Sequence, residues 1–509
     1  MKRSSFKNIA TVGALTGMSR ILGFVRDMVM AWILGAGFLM DAFIVAFRIP
    51  NLLRRFMAEG TVSVAFIPVF TEVREKDGLD RAFALTRDML TFMLYALSAV
   101  VILGEILSPA IVAAMAPGFL RNSEVFAVAV HLNNIMFPFI LLIGIASLLM
   151  GLLNSMGHFA APAGAPVLLN VFMIGVPVVG YVMFPLFPRP EDAFAWGVVL
   201  GGIAQILLQL IPIRAMKIPL GLSLRFTHPR LGQILKLMGV AAIGASVYQL
   251  NVFIGTLLAS LLAAGSVSFL YYAARILELP LGLFAFSVSN VMLPELSTAF
   301  ARSDTETVAR LTGESLLAVL IFCIPATIGM LMLAEPIFAV LFMRGAFGME
   351  DVRASAYALQ MYAVGLSAIG AARILTQTLY AMQKPQVVVK TAWISLGVNA
   401  VCSLALMPVM GHGGIALASS LSTAVQMIIM YRIIAGQGVS FGREIWLKLL
   451  RMAGASAVMG VVLFGFLRLD FWQGGLSLAS VSLLLASVVA GGGVYFGLLW
   501  AMGMRPRLR

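Results

Sequence analysis

Long apolar stretches alternate with short breaks rich in charged residues, proline or glycine along the whole chain. A helix needs about 20 mostly apolar residues to cross a bilayer, and most of these stretches reach that length. The pattern therefore predicts an all-α polytopic membrane protein with fourteen transmembrane helices. We place them at about residues 8 to 34, 39 to 70, 87 to 110, 125 to 151, 159 to 184, 192 to 213, 234 to 262, 266 to 298, 311 to 333, 353 to 382, 386 to 408, 412 to 435, 446 to 467 and 478 to 503.

The composition points to the same fold class. Of the 509 residues, 61% are hydrophobic and 11% are charged, whereas about 25% of residues are charged in soluble domains. This difference excludes a water-soluble globule. The two cysteines, Cys323 and Cys402, both lie inside apolar stretches. Neither a disulfide framework nor a metal site is expected from them.

The distribution of basic residues orients the chain. With the N-terminus inside, 21 Lys and Arg residues fall in cytoplasmic segments and five fall on the opposite side. Because positively charged loops stay in the cytoplasm, both termini are predicted to be cytoplasmic. The same rule accounts for the net charge of +13, so nucleic acid is not expected as a partner. Arg20, Arg26 and Asp27 interrupt the first apolar run, which we interpret as a retained helix rather than a signal peptide.

Short matches at a constant spacing indicate an internal repeat. Ala46-Phe47-Arg48-Ile49 matches Ala273-Ala274-Arg275-Ile276 at an offset of 227, and Leu153-Asn154-Ser155-Met156 can be laid on Leu379-Tyr380-Ala381-Met382 at 226. This offset spans six predicted helices, as in secondary transporters built from two repeats with the substrate site between them. We predict an N-lobe over 1–214, a cytoplasmic interfacial linker over 215–233, a C-lobe over 234–436 and two further helices within 446–503. Both an interfacial helix and a solvated loop fit the linker.

Charged residues occur inside the predicted helices, where each arginine costs about 2.5 to 3.5 kcal/mol unless it faces a polar interior. Residues seven apart on a helix point in nearly the same direction, so Asp41, Arg48 and Arg55 form one stripe, which Glu59 extends. Pairing of Arg26 with Asp27 and of Arg275 with Glu278 would hold helices together, but it cannot neutralise seven arginines with four acids. A cationic cavity between the two bundles follows, and guanidinium groups match phosphate oxygens. The seven arginines are Arg20, Arg26, Arg48, Arg54, Arg55, Arg275 and Arg373, and the four acids are Asp41, Asp27, Glu59 and Glu278.

Several strings resemble the MurJ/MviN lipid II flippases of the MOP exporter superfamily. They are Ser19-Arg20-Ile21-Leu22-Gly23-Phe24-Val25-Arg26-Asp27, Asp41-Ala42-Phe43, Phe47-Arg48-Ile49-Pro50-Asn51-Leu52-Leu53-Arg54-Arg55, Ala58-Glu59-Gly60, and Gly265-Ser266-Val267-Ser268 with Tyr271-Tyr272 and Arg275.

The resemblance implies fourteen helices in two V-shaped lobes and a bacterial inner-membrane location. It also implies that the undecaprenyl-diphosphate-linked peptidoglycan precursor, lipid II, moves from the inner to the outer leaflet by alternating access. Helices 13 and 14 would form an apolar groove for the polyprenyl tail. The resemblance implies four cavity arginines, Arg20, Arg26, Arg54 and Arg275, with the further cavity positions Asp41, Arg48, Asn51, Arg55, Glu59 and Glu278.

Other functions remain as alternatives. One alternative is the export of another polyprenyl-diphosphate-linked oligosaccharide. Another is a related multidrug exporter, although the excess of arginines disfavours cationic drugs. An ion channel is a third option. An enzyme is not expected, because the sequence contains neither a phosphate-binding loop nor an Asp-rich motif, and its four histidines are isolated from one another. We expect no metal or cofactor, and a monomer surrounded by membrane lipids. Sodium coupling is not predicted, because residues 236 to 264 and 386 to 435 contain no Asp or Glu.

Overall fold

A computed structural model describes residues 3–58, 61–223, 228–282, 286–439, 441–470 and 472–504. Within these ranges the regular structure is helical, and no β-strand is formed. A 3₁₀ turn at Pro117–Arg121 and a π-helical turn at Val178–Met183 supplement the α-helices. The α-helices are α1 Arg3–Leu34, α2 Phe38–Ala58, α3 Thr61–Asp77, α4 Leu79–Ile106, α5 Ser108–Met115, α6 Ser123–Met136, α7 Phe139–Ser155, α8 Ala160–Pro177, α9 Pro190–Ala215, α10 Leu231–Ser260, α11 Ser266–Pro280, α12 Phe286–Ala301, α13 Thr305–Phe342, α14 Met349–Ala363, α15 Leu366–Ala381, α16 Pro385–Met410, α17 His412–Ala435, α18 Arg443–Leu467 and α19 Leu478–Ala501.

Several of these helices are long and apolar enough to cross a bilayer. Over the described residues there are nine such spans, one of which is α6 and α7 together, or ten if α14 and α15, which meet at a bend of 44°, also count as one span. The helices α1, α2 and α11, which carry most of the arginines discussed above, are not among the nine, and α11 has only 15 residues. The chain is a multi-pass membrane protein, and the number of fourteen spans stays a prediction.

Two of the predicted helices are each divided within the described residues. Residues 125 to 151 form most of α6 and α7, and residues 353 to 382 form most of α14 and α15. The predicted helices 39 to 70 and 266 to 298 contain residues 59–60 and 283–285, which lie outside the described residues. The helix α2 continues through Pro50, which is buried. A proline removes one backbone hydrogen bond, and neighbouring protein compensates for that loss inside a membrane helix.

Helix starts recur at the spacing of the sequence matches. The first residue of α13 follows that of α4 by 226 residues, and that of α14 follows that of α6 by the same number. The turns after α7 and α15 are also alike. In Leu153–His158 and Leu379–Lys384 the last N–H donates to the first carbonyl, at 2.8 and 2.9 Å. Gly157 and Gln383 have φ of 78° and 55° in these turns, the left-handed conformation that ends many helices.

Contacts between helices divide the chain into two compact units, Met1–Leu261 and Leu262–Arg509. The first unit includes α10, which packs on α2, α3 and α4. The repeat would instead group α10 with the second set of helices. Compact units are defined by contacts and lobes by the repeat, so the predicted lobe boundaries remain a prediction.

The last two helices pack on α13 in the second unit. Their buried cluster includes Met452, Met459, Leu463 and Tyr495. The Tyr495 side chain is fully buried, and its hydroxyl donates to the Ile321 carbonyl oxygen at 2.9 Å. A buried tyrosine needs such a partner for its hydroxyl. The contact therefore fixes α19 against α13.

Candidate functional site

An arginine and an aspartate that are adjacent on α1 form a buried ion pair in the first unit. The Arg26 and Asp27 residues are 8% and 1% exposed. Arg26 Nη2 and Nε donate to Asp27 Oδ1 at 2.7 and 3.0 Å. Buried charges are paired in this way because desolvating an isolated charge is very costly. The predicted pairing of these two residues is therefore present in the structure.

A polar residue on α8 joins this ion pair. Asn170 Oδ1 accepts a hydrogen bond from Arg26 Nη1 at 3.1 Å. On its other side, Asn170 Nδ2 donates to the Ser19 carbonyl oxygen at 3.0 Å. Asn170 is 6% exposed. The side chain thus connects α8 to two positions on α1, one of which is the guanidinium group.

Arg20, also on α1, has a different environment. It is exposed, although it lies seven residues, about two helical turns, before the buried Asp27. Within the described part of the chain, Arg20 makes no hydrogen bond or ion pair. Its guanidinium group is therefore accessible to a ligand. The structure brings Arg26, and not Arg20, to Asp27.

The predicted stripe on α2 is partly buried in the same unit. Asp41 is 3% exposed and lies in the first turn of α2, where the positive end of the helix dipole favours a carboxylate. Arg48 Nη1 donates to the hydroxyl of Thr256 on α10, and that hydroxyl donates in turn to the Val252 carbonyl oxygen at 2.7 Å. Asn51 is half-buried. Arg48 therefore links α2 to α10.

Three of the predicted site residues cannot be placed in this way. Arg54 and Arg55 belong to α2 by their backbone, but their side chains lie outside the described part of the structure. Glu59 lies outside the described residues. Their assignment to the site stays a prediction.

In the second unit, α11 presents an arginine next to a carboxylate and a tyrosine. Arg275 Nη1 and Glu278 Oε2 are 3.0 Å apart, and the two side chains are 32% and 56% exposed. The Arg275 Cζ atom lies 5.0 Å from the centroid of the Tyr271 ring, within the range of a cation–π interaction. The pairing of Arg275 with Glu278 predicted from the sequence is present.

Aromatic packing on α11 determines which side of the helix is available. The Tyr272 side chain is fully buried, with its ring centroid 5.4 Å from that of Phe342 and 5.5 Å from that of Phe347. This contact anchors one face of α11 in the core of the second unit. Tyr271, Arg275 and Glu278 retain partial or full exposure.

The last of the seven arginines in the predicted helices, Arg373, lies on α15 and is half-buried.

The linker between α9 and α10 is attached to the first unit by backbone contacts. The Ser223 N–H donates to Thr91 Oγ1 at 2.8 Å, and the His228 N–H donates to Asp88 Oδ2, also at 2.8 Å. The Asp88 carboxylate is 4% exposed. The described residues Met216–Ser223 are not helical, so no interfacial helix forms over them.

Charged and titratable groups surround the end of this linker. Arg230 Nη2 lies 3.1 Å from Glu72 Oε1, which also pairs with Lys76 Nζ at 2.9 Å. The hydrogen bond from Lys76 and the charge of Arg230 lower the pKa of Glu72. Burial lowers the pKa of His228, and the charge of Asp88 opposes that shift. The neutral imidazole is therefore favoured in the folded protein.

No group of three or more His, Cys, Asp or Glu residues is arranged to hold a metal ion in the ranges that the structure describes. The groups described above consist of guanidinium, carboxylate, amide and phenol side chains. Arginines offer planar forked donors that match phosphate oxygens. The chemistry available in each unit is therefore the binding of an anionic group, with nearby carboxylates that compete for the same donors.

Comparison with known proteins identifies the family. A family model described as "Lipid II flippase MurJ" matches residues 30–486. The lipid II flippase MurJ of Burkholderia cenocepacia is 34% identical over 508 residues, covering 98% of each chain. The chain belongs to the lipid II flippase MurJ family.

Solved structures show how widely the MurJ fold is shared. A structure titled "Lipid II flippase MurJ, inward closed conformation" matches with a TM-score of 0.80 and 24% identity, and it covers 97% of this chain and 99% of that one. An inward-facing multidrug resistance MATE family transporter of the MOP superfamily matches with a TM-score of 0.63 and 14% identity, covering 85% and 99%. At these identities the matches establish the fold, while membership of the MurJ family follows from the sequence comparisons.

Sequence reasoning missed two side chains that contact the arginines of this MurJ family member. Asn170 is the sole amide in the predicted helix from 159 to 184, and polar residues in membrane helices often contact other helices. The isolated amide in an apolar helix could therefore have indicated a contact with another helix. Thr256 carried no comparable signal, since threonine and serine recur along the helix that contains it. Only the packing of α10 on α2 shows its contact with Arg48.

Proposed function

We propose that this chain is a lipid II flippase, which moves the undecaprenyl-diphosphate-linked disaccharide-peptide from the inner to the outer leaflet of the bacterial inner membrane. The observation that carries this proposal is the match to the MurJ family over nearly the whole chain. The guanidinium groups of Arg26 and Arg275 can donate hydrogen bonds to the oxygens of a diphosphate headgroup. The chain acts as a transporter and not as an enzyme, with lipid II and membrane lipids as its partners.

The substrate's diphosphate is bound by guanidinium groups during the transport cycle. Two of them have a carboxylate partner in the structure, Asp27 for Arg26 and Glu278 for Arg275. Such a carboxylate reduces the desolvation penalty of the arginine before the substrate arrives and competes with the diphosphate afterwards, which assists release. The full proposed set is Arg20, Arg26, Arg48, Arg54, Arg55, Arg275, Asn51, Asp41, Glu59 and Glu278.

Transport proceeds by alternating access in a monomer. Binding of the anionic headgroup reduces repulsion among the arginines and so favours the state that holds it best, since a ligand shifts an equilibrium by its differential affinity for the two states. The proposed topology has fourteen spans, cytoplasmic termini, an N-lobe over 1–214, a cytoplasmic linker over 215–233 and a C-lobe over 234–436. The segment 446–503, which contains most of α18 and all of α19, receives the polyprenyl tail.

A reconstituted flipping assay tests the proposal. Proteoliposomes containing labelled lipid II are compared for the wild type and for Arg20→Ala and Arg275→Ala. We expect each substitution to lower the initial rate about tenfold or more, because hydrogen bonds to charged groups contribute about 1.5 to 3 kcal/mol. Lysine at either position retains the charge but not the forked geometry, so an intermediate rate is expected.

The controls separate a specific loss from a general one. Arg310→Ala is the matched control, because Arg310 is exposed and pairs only with Glu314 among the described residues. It should flip lipid II at the wild-type rate. Undiminished flipping by both alanine variants of the site would contradict the diphosphate-binding role. Equal competition by a lipid-linked glycan of another kind would favour the broader exporter, and inhibition by a cationic drug would favour a multidrug exporter.

A further inference from the structure

We propose that Asn170 is a positioning residue that holds the Arg26 guanidinium group in the orientation needed to bind the substrate's diphosphate. The inference rests on the proposed function. Asn170 lies on α8, whereas the arginine lies on α1. Its amide is thus a part of the binding site that comes from a different helix.

The amide of Asn170 has one orientation that satisfies its neighbours. The Ser19 carbonyl oxygen is only an acceptor, so the group facing it at 3.0 Å is the Nδ2 donor. The opposite atom of the amide is then Oδ1, which faces Arg26 Nη1 at 3.1 Å. The backbone of α1 therefore determines that Asn170 presents an acceptor to the guanidinium group.

Packing restricts the amide further. The residue is 6% exposed, and Gly23 lies directly against it, since a Cβ atom at that glycine would be 3.6 Å from Asn170 Nδ2. A buried side chain in contact with a neighbouring backbone has few alternative rotamers. Asn170 is consequently a rigid support for the arginine.

Two of the partners of Arg26, Asp27 and Asn170, hold different ends of its guanidinium group. Asp27 Oδ1 accepts from Nε and Nη2, and Asn170 accepts from Nη1. Together they determine the plane and the direction of the fork. Bidentate recognition of phosphate depends on that direction. Without Asn170 the ion pair with Asp27 would remain, but on α8 Nη1 would keep only the Met173 Sδ atom at 3.9 Å, and a thioether is a weak acceptor.

The test measures lipid II binding and flipping by the purified full-length protein in lipid bilayers. Asn170→Leu removes the hydrogen bonds of the amide and keeps the branching of the side chain. We expect the Kd for lipid II to rise about tenfold, with the flipping rate at saturation changing less. Asn170→Asp places a second carboxylate beside Arg26, which competes with the diphosphate. Binding should therefore be weaker than in Asn170→Leu.

A double-mutant cycle distinguishes positioning from structural support. In an Arg26→Ala background, Asn170→Leu should change the Kd less than about twofold, because no guanidinium group remains to be oriented. The matched control is Asn133→Leu, which removes another buried amide, one that donates to Ser108 Oγ. It should bind lipid II like the wild type. Melting temperatures verify that each variant is folded.

Two results would overturn the inference alone. One is wild-type affinity for lipid II in both Asn170 variants, and the other is an equal loss of affinity with and without the Arg26 guanidinium group. If the wild-type protein bound and flipped no lipid II, the proposed function would fail and this inference with it. The nearly isosteric Asn170→Asp keeps the test valid if Asn170→Leu does not fold.

Discussion

The hydroxyl of Tyr271 lies 3.4 Å from Nη2 of Arg275. The Cζ atom of the same arginine lies 5.0 Å from the centroid of the Tyr271 ring. The two residues are one helical turn apart on α11, a spacing that places side chains next to each other. Tyr271 therefore contributes two separable interactions, one through its ring and one through its hydroxyl.

Substitution of Tyr271 should separate these interactions. Tyr271→Phe keeps the ring and should reduce lipid II affinity less than about threefold, whereas Tyr271→Ala should reduce it about three- to thirtyfold, because a cation–π contact contributes about 0.5 to 2 kcal/mol. Titration of the purified protein with lipid II measures both. Tyr380→Ala, which removes an exposed tyrosine, is the control. Equal losses in the phenylalanine and alanine variants would show that the ring makes no contribution.

The contact between Arg48 and Thr256 should stabilise the first unit. Thr256→Val removes the acceptor at nearly constant volume. We expect the free energy of unfolding to fall by about 1 to 3 kcal/mol, because the half-buried Arg48 guanidinium group loses this hydrogen bond. Thr256→Ser keeps the hydroxyl and should lose less. Thermal unfolding in detergent measures the change. Thr423→Val is the control, since that hydroxyl donates to a backbone carbonyl oxygen. A melting temperature of Thr256→Val equal to that of the control would contradict the prediction.

Loss of the Asp88 carboxylate should release the linker. Asp88 accepts the His228 backbone N–H at 2.8 Å, so Asp88→Ala leaves that end of the linker without its acceptor. We expect faster trypsin cleavage after Lys217 and Arg230, because proteolysis follows local opening. Asp80→Asn, at an exposed position on the same helix, should be cleaved like the wild type. An unchanged cleavage rate in Asp88→Ala would show that other contacts suffice.

The linker should also loosen in acid. Burial lowers the pKa of His228, so the folded protein favours the neutral imidazole. The stabilising contribution is present above the ordinary histidine pKa of about 6.5 and is lost as the pH falls through the lowered value. Hydrogen exchange in the linker should therefore rise between about pH 7 and pH 5. His228→Gln should weaken this pH dependence, and His158→Gln should preserve it. The same acid response in His228→Gln as in the wild type would assign the effect to other groups.

Much of the fold could be predicted from the sequence because bilayers impose a simple length rule. The apolar stretches located α4, α9, α16 and α17 to within about ten residues at each end. Prediction failed where one apolar stretch contains two helices, as with α6 and α7 and with α14 and α15. A short turn inside a continuous apolar segment leaves the hydropathy of that segment nearly unchanged, so the pattern cannot show it.

The candidate site was predictable to a lesser extent. Arg275 and Glu278 could be paired from their spacing, since residues i and i+3 are neighbours on the surface of a helix. The pairing of Arg26 with Asp27 was also predicted, but adjacent residues on a helix do not face each other, so the contact itself is shown only by the structure. Asn170 and Thr256 could not be connected to their arginines in that way. Each lies on a helix more than 140 residues away along the chain, and its contact depends on which helices pack together.

By itself, the sequence determined the class of protein and its chemical character. It showed membrane helices, more arginines than acidic residues inside those predicted helices, and strings that resemble the MurJ family. These are properties of composition, periodicity and local spacing, which exist before the chain folds. Only the tertiary structure decided that Arg26 is held by Asn170, that Arg48 contacts Thr256 and that Arg20 stays exposed. The direction of a side chain and the identity of its partner arise from the packing of distant helices, which no local pattern encodes.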